Sequence, residues 1–270
     1  MHERLSINSA CFQGAGWSRL AEAWKVLGCR RVSFVATLLD GDPSAAATVI
    51  EEGDRALETI CHPFLYGHQL DADEAVITAE QGKLARTLDI AAALGSRSVF
   101  IASGGRGAFS WEQAAERFST AIAPCLAHAR AAGIALLVEN TPQVYADLSI
   151  GLTLRDTVTL AEMAGVGLCV DFFSCWMEAG LEQTIARAMP RCHLIQFADY
   201  VLGDRALPAR AVAGDGAIPL RRLFDCALSA GYRGTFELEQ MGPRIDAEGH
   251  LPAARRAADV ASEILDSLRA

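Results

Sequence analysis

GLCVDFF, residues 167–173, is an apolar run that carries one carboxylate, Asp171, near its end. A run of this kind reads as a strand buried on both faces. A charge on such a strand costs several kcal/mol unless a partner neutralises it. Asp171 therefore marks a strand end where a cation is expected, and the cation expected from the residues around it is a metal ion.

Working outward, the same form recurs: LSINSA from residue 5, RVSFVA from 31, ETICHPF from 58, SVFIAS from 98, ALLVEN from 135, HLIQFAD from 193 and TFELEQ from 235, which with GLCVDFF makes eight. Helical periodicity fills the intervals, most clearly over 73–94, 111–132, 153–164 and 178–189. Gly28, Gly95, Gly133 and Gly165 each stand shortly before the next strand, where a left-handed C-terminal cap is expected. Eight strand-then-helix units with short connections predict one α/β domain over residues 1–270, a single (β/α)8 TIM barrel, in preference to an open doubly wound sheet. CFQGAGWS holds Gly14 and Gly16 but lacks the third glycine of a dinucleotide fingerprint, so it reads as a turn.

Lysine and arginine number 24 against 33 Asp and Glu, a formal net charge of −9. That field repels a phosphodiester backbone, and no nucleic-acid partner is expected. MHERLSINSA has no basic segment ahead of a long apolar core, and no later apolar run is long enough to span a bilayer. The expectation is a cytoplasmic protein with a small-molecule substrate and no membrane contact. Eight cysteines are scattered without a C-x-x-C pair, as reduced core thiols are.

In a barrel of this type the chemistry sits at the C-terminal ends of the strands. The polar residues there are His62, Ser103, Glu139, Asn140, Asp171, Gln196, Asp199, Glu237 and Glu239. Side chains alternate across a strand, so Leu137 and Glu139 share a face, as do Cys169 and Asp171, Leu194 and Gln196, and Glu237 and Glu239. If that face points inward, Glu139, Asp171, Gln196 and Glu239 converge, and three carboxylates so close need a cation. All-oxygen ligands select a hard or borderline divalent ion, Mn²⁺ or Mg²⁺. Any one of these acids, taken alone, reads equally well as a helix cap or a solvent-facing group. His193 falls on the opposite parity and reads as structural.

The ordered set LLVEN, GLCVDFF, LIQFADY, ARAVAGDGAIPL and GYRGTFELEQ resembles the sugar phosphate isomerase/epimerase family of xylose isomerase-like TIM barrels, whose members include hydroxypyruvate isomerase, tagatose and psicose epimerases and inosose dehydratase. The resemblance runs over nearly the whole chain. It implies a divalent metal held by Glu139, Asp171, Gln196 and Glu239, with Glu139 and Glu239 also catalytic, and an arginine over the substrate at Arg210. It also implies a homodimer or homotetramer. One departure stands out: relatives carry His three residues after the strand-six aspartate, and this chain has Ser174, which cannot shuttle a proton near neutral pH. His62, ahead of Pro63, is a candidate to bring an imidazole to the substrate from another side, and Trp176 a candidate apolar wall.

The expected activity is metal-assisted proton transfer beside a carbonyl, through an enediolate, on a sugar-like or polyol-derived hydroxy-carbonyl substrate: an isomerase or epimerase. Expulsion of a leaving group from the same enediolate would make it a dehydratase or lyase, and a third reading is a non-catalytic binding barrel or accessory subunit. An abasic-site endonuclease, known in the same superfamily, needs several histidines at the strand ends and a basic face, which this chain lacks.

Overall fold

Eight strands, β1 (Leu5–Asn8), β2 (Arg31–Val35), β3 (Ala56–His62), β4 (Ser98–Ile101), β5 (Ala135–Glu139), β6 (Gly167–Asp171), β7 (Cys192–Phe197) and β8 (Thr235–Leu238), close into one barrel in sequence order in this computed structural model. Every neighbouring pair is parallel, including the closing pair of β8 with β1. Residues 1–40 and 43–270 are described. Around the barrel lie α1 (Trp17–Leu27), α2 (Pro43–Glu52), α3 (Glu74–Ala93), α4 (Trp111–Ala131), α5 (Leu154–Ala164), α6 (Phe172–Cys175), α7 (Leu181–Ala188), α8 (Leu220–Ser229), α9 (Pro243–Glu248) and α10 (His250–Leu268).

Local chemistry sets the ends of these elements. The Ser110 hydroxyl accepts from the Gln113 backbone while the Gln113 side chain answers the Ser110 N–H, a reciprocal box that starts α4. Thr153 caps α5 through the N–H of Asp156, and Gly165 closes it in the left-handed region at φ 71°. Gly28, Gly95 and Gly133 also take positive φ beyond α1, α3 and α4. The third strand begins at Ala56, two residues before the ETICHPF segment, and stops at His62 because Pro63 has no N–H for the ladder. The eighth stops at Leu238, short of the TFELEQ segment's end, yet the Glu239 N–H still reaches the Phe197 carbonyl at 3.1 Å and carries the line one residue further.

Packing is layered. Inside the barrel Phe100, Leu137, Cys169 and Leu194 form a small buried cluster with Cys61 and Ala135 against it. The larger core lies between strands and helices, where Phe236 of β8 stacks on Phe224 of α8 with ring centroids 4.2 Å apart. At the N-terminal end, Glu58 sits where the β2–β3 register shifts. It accepts from Arg31 at 2.5 Å and from the Thr235 hydroxyl across the barrel at 3.0 Å. That pair closes the floor, leaving the opposite end to carry the site. All eight cysteines are free thiols, and no helix among the described residues is long and apolar enough to cross a membrane.

Candidate active site

Leu137, Cys169 and Leu194 face the barrel interior, so two residues further on Glu139, Asp171 and Gln196 face it too, at the open end. Asp171 stands directly opposite Gln196 in the β6–β7 ladder and is fully buried. Asn140 sets its height: the Asn140 amide donates to the Asp171 carbonyl and accepts from the Asp171 N–H, both at 2.9 Å, tying β5 to β6 just below the site.

The cation that meets Asp171 in this structure is Arg210. Its guanidinium donates to the two Asp171 carboxylate oxygens at 2.8 and 3.3 Å and lies 3.0 Å from Glu239 Oε2. It also donates to the Glu239 carbonyl at 3.1 Å and covers the Phe173 ring at 4.5 Å from its centroid. Asp171 accepts two further bonds, from the Phe173 N–H at 3.0 Å and the Ser174 hydroxyl at 2.5 Å. Ser174 thus serves the carboxylate at the position where relatives place histidine.

Arg210 comes from the long connection after β7, and Asp199 builds that connection. Residues 199 and 211 exchange two backbone bonds of 2.8 and 3.0 Å. The Asp199 carboxylate then accepts from the N–H groups of Tyr200, Gly214, Gly216 and Ile218 at 2.8 to 3.0 Å. A side chain at Gly216 would run into that carboxylate and the Tyr200 carbonyl, which is why the turn reads GDG. A strand-end acid that the sequence offered as a site candidate is in fact the anchor of the loop that delivers the arginine.

Gln196 is oriented from below. Its amide nitrogen donates to Glu237 at 2.8 Å, and Glu237 also accepts from Asn8 at 3.0 Å. The Gln196 carbonyl oxygen takes the thiol of Cys169 at 3.2 Å, a weak donor. Burial pushes the Glu237 carboxyl up to about 7 against its hydrogen bonds. Burial also raises Glu139 well above the usual carboxylate range, and Glu239 and Asp171 add like charge. Glu239 is raised by burial against the pull of Arg210. Burial works against the Arg210 charge, but Asp171 and then Glu239 hold it more firmly protonated than usual.

Three carboxylates and an amide oxygen are the donor chemistry of a hard divalent ion. Among the described residues no three His, Cys, Asp or Glu side chains stand close enough to hold a metal ion. The Arg210 guanidinium, between Asp171 and Glu239, supplies the positive charge the donors require. The residues fit such an ion in kind, with Arg210 as the cation that would have to give way to it.

Above these groups opens a cavity of about 520 Å³. Glu139, Arg210 and Glu239 line its floor, with Thr141, whose buried hydroxyl has no hydrogen-bond partner. Its walls come from Tyr66, Val144, Tyr145, Phe173, Leu207 and Met241. Apart from Phe173, beside Asp171, these wall residues and Thr141 lie in the connections after β3, β5, β7 and β8. Sequence reasoning missed them because loop residues show no periodicity; the only available signal was their place after a strand end. Trp176 is not part of the lining. It follows α6 and packs behind Tyr200, centroids 6.4 Å apart.

His62 borders the cavity, but its ring turns outward, with Nδ1 2.8 Å from the Thr87 hydroxyl of α3. Burial lowers it from 6.5 to about 4. Between those values the unfolded chain binds the proton that the folded chain refuses. The resulting stability is therefore complete above about pH 6.5 and is lost as pH falls toward 4. The loss amounts to about 3 kcal/mol. The raised carboxyls of Glu237, Glu139 and Glu239 act in the opposite sense over this range in wild type and variant alike, so the His62 contribution is read as a difference: between pH 7 and pH 4.5 in urea, wild type should lose about 3 kcal/mol relative to His62→Asn, and equal pH changes in the two proteins would refute it.

Residues 22–269 match the family model described as xylose isomerase-like TIM barrel. A comparison with curated protein sequences gives no match. Among solved structures, protein SMc04130 from Sinorhizobium meliloti 1021 is 24% identical, with TM-score 0.82 over 98% of this chain and 98% of that one. An L-ribulose 3-epimerase is 18% identical with TM-score 0.83, covering 99% of this chain and 96% of that one. The IolI protein, solved with a bound zinc atom, is 14% identical with TM-score 0.79, covering 98% and 99%. The family model spans β2 through α10 and so takes in every strand end that carries a carboxylate of the site: this chain belongs to the xylose isomerase-like TIM barrel family.

Proposed function

We propose that this protein is a divalent-metal-dependent isomerase or epimerase that moves a proton beside the carbonyl of a sugar-like or polyol-derived substrate. The observation that carries the reading is the pair of carboxylates, half-buried Glu139 and buried Glu239, facing one cavity floor from β5 and from the end of β8. The family, an epimerase among the structural neighbours and the zinc of another support it.

Glu139, Asp171, Gln196 through its carbonyl oxygen, and Glu239 would hold the ion, which when bound supplies Lewis-acid polarisation of the substrate carbonyl. The protein's own part is acid–base. One of Glu139 and Glu239 removes the proton next to the carbonyl and the other returns it. Delivery to the neighbouring carbon isomerises the substrate, and delivery to the opposite face of the same carbon epimerises it. Arg210 and the Thr141 hydroxyl supply donors for the substrate's oxygens. Ser174 keeps the Asp171 carboxylate oriented, while His62 shapes the wall and Trp176 supports Tyr200 from behind.

The test is solvent exchange. Purified protein supplied with Mg²⁺ should replace the proton next to the carbonyl of a hydroxy-ketone by deuterium in D₂O, read by proton NMR. Elimination, which expels the hydroxyl as water, would show in the same spectra as loss of the carbinol proton signal. No exchange across a panel of keto-sugars and polyol-derived ketones, with Mg²⁺, Mn²⁺ or Zn²⁺ present, would refute the reading.

A further inference from the structure

The walls of the cavity differ in kind from its floor. Tyr66, Val144 and Leu207 are 69%, 65% and 64% exposed, among the most exposed large apolar residues of the chain. Single exposed apolar residues need no explanation. These three come from the separate connections after β3, β5 and β7, and all three line the same opening. Below them Phe173, Leu148 and Met241 continue the apolar lining down to the carboxylates.

The polar groups of the connection after β7 bond among themselves and to Arg244. The Asp204 carboxylate accepts from the Ala206 N–H at 2.9 Å and from Arg244 at 2.6 Å. Tyr200 donates its phenol proton to the Asp204 carbonyl at 2.8 Å. Arg205 donates to the Tyr200 oxygen and to the same carbonyl, both at 3.2 Å. At the floor, Arg210 is held by Asp171 and Glu239. A second sugar ring would set hydroxyls against Val144, Leu207 and Phe173, which offer them no partner, and buried hydroxyls without partners oppose binding. The unpaired Thr141 hydroxyl lies at floor level beside Glu139, where a polar head would sit.

We infer that the substrate is a hydroxy-carbonyl compound bearing an aryl group, its polar head on Glu139, Glu239 and Thr141 and its ring between Tyr66, Val144, Phe173 and Leu207. The volume of about 520 Å³ lies within the range of sites that enclose molecules larger than a simple sugar. The inference rests on the proposed hydroxy-carbonyl chemistry of the floor for its head group, and on the walls alone for the ring.

A matched pair separates the two. Dihydroxyacetone and 1-hydroxy-3-phenoxypropan-2-one share the head and differ by the aryl ether. Calorimetric titration of the wild-type protein should give a dissociation constant about tenfold or more lower for the phenoxy compound. Val144→Asp and Leu207→Asp, both at exposed positions that leave the fold intact, should bring the ratio of the two constants toward one. Equal affinities, or no measurable binding of the phenoxy compound, would overturn the inference. Deuterium exchange on the same two compounds reports on the reaction separately. Tight phenoxy binding without exchange keeps the aryl site and removes the proton-transfer reading, whereas exchange with equal affinities does the reverse.

Discussion

Glu239→Gln should lower turnover by about 10²- to 10⁴-fold, the usual worth of a positioned proton-transfer group, and leave the barrel folded. The substitution is isosteric, and the Arg210 bonds to Asp171 and to the Glu239 main-chain carbonyl do not need the charge. It also relieves like-charge crowding, since Glu239 is the largest charged contributor to the raised Glu139 carboxyl. Melting should therefore stay near wild type while the exchange rate falls. The same split is expected for Glu139→Gln. Wild-type exchange by Glu239→Gln with the divalent ion still bound would remove this residue from the chemistry.

The second large effect is on stability. Arg210→Met should cost about 3–5 kcal/mol, the usual result of removing one partner from a buried pair. Asp171 is fully buried and would keep only the Ser174 hydroxyl and the Phe173 N–H. Arg210→Lys keeps the charge but not the two-pronged donor, and should recover part of the loss. The Arg210→Met, Asp171→Asn double variant should be less destabilised than the two single losses added together, because the carboxylate left unpaired by the first change is gone. Added Mn²⁺ or Mg²⁺ should raise the melting temperature of Arg210→Met by more than that of wild type, because the carboxylates then lack any other cation. An Arg210→Met protein within about 0.5 kcal/mol of wild type in urea, the ordinary range for surface substitutions, would show that the pair carries little.

The strand-end residues were legible because two regularities coincide. The period-two alternation of a strand assigns Glu139, Asp171 and Gln196 to the face of Leu137, Cys169 and Leu194, and the structure shows that face pointing inward. The repeat of eight strand segments gave the barrel, since each parallel neighbour needs a crossover, and eight strands joined by seven crossovers bring β8 beside β1.

Partnership was not legible. Asp171 announced that a cation was needed, but Arg210 lies 39 residues away, on a loop whose path depends on four backbone bonds to Asp199. Asp199 looked like a site residue because a strand-end acid that binds backbone N–H groups and one that binds a ligand look alike in sequence. His62 shows the same limit: a strand-end imidazole can point to either face, and here it turns to Thr87. Trp176 passed for a wall because the four-residue helix α6, which carries it behind Tyr200, has no periodic signal.

The sequence by itself therefore determined the class of fold, the end of the barrel that carries chemistry and the acids that stand there, because strand period and strand–helix order are local properties of the chain. Only the tertiary structure decided which charge neutralises Asp171, which acid holds the loop and which loop residues wall the cavity. Those are contacts between segments far apart in sequence, and their outcome depends on which buried groups find partners when the barrel closes.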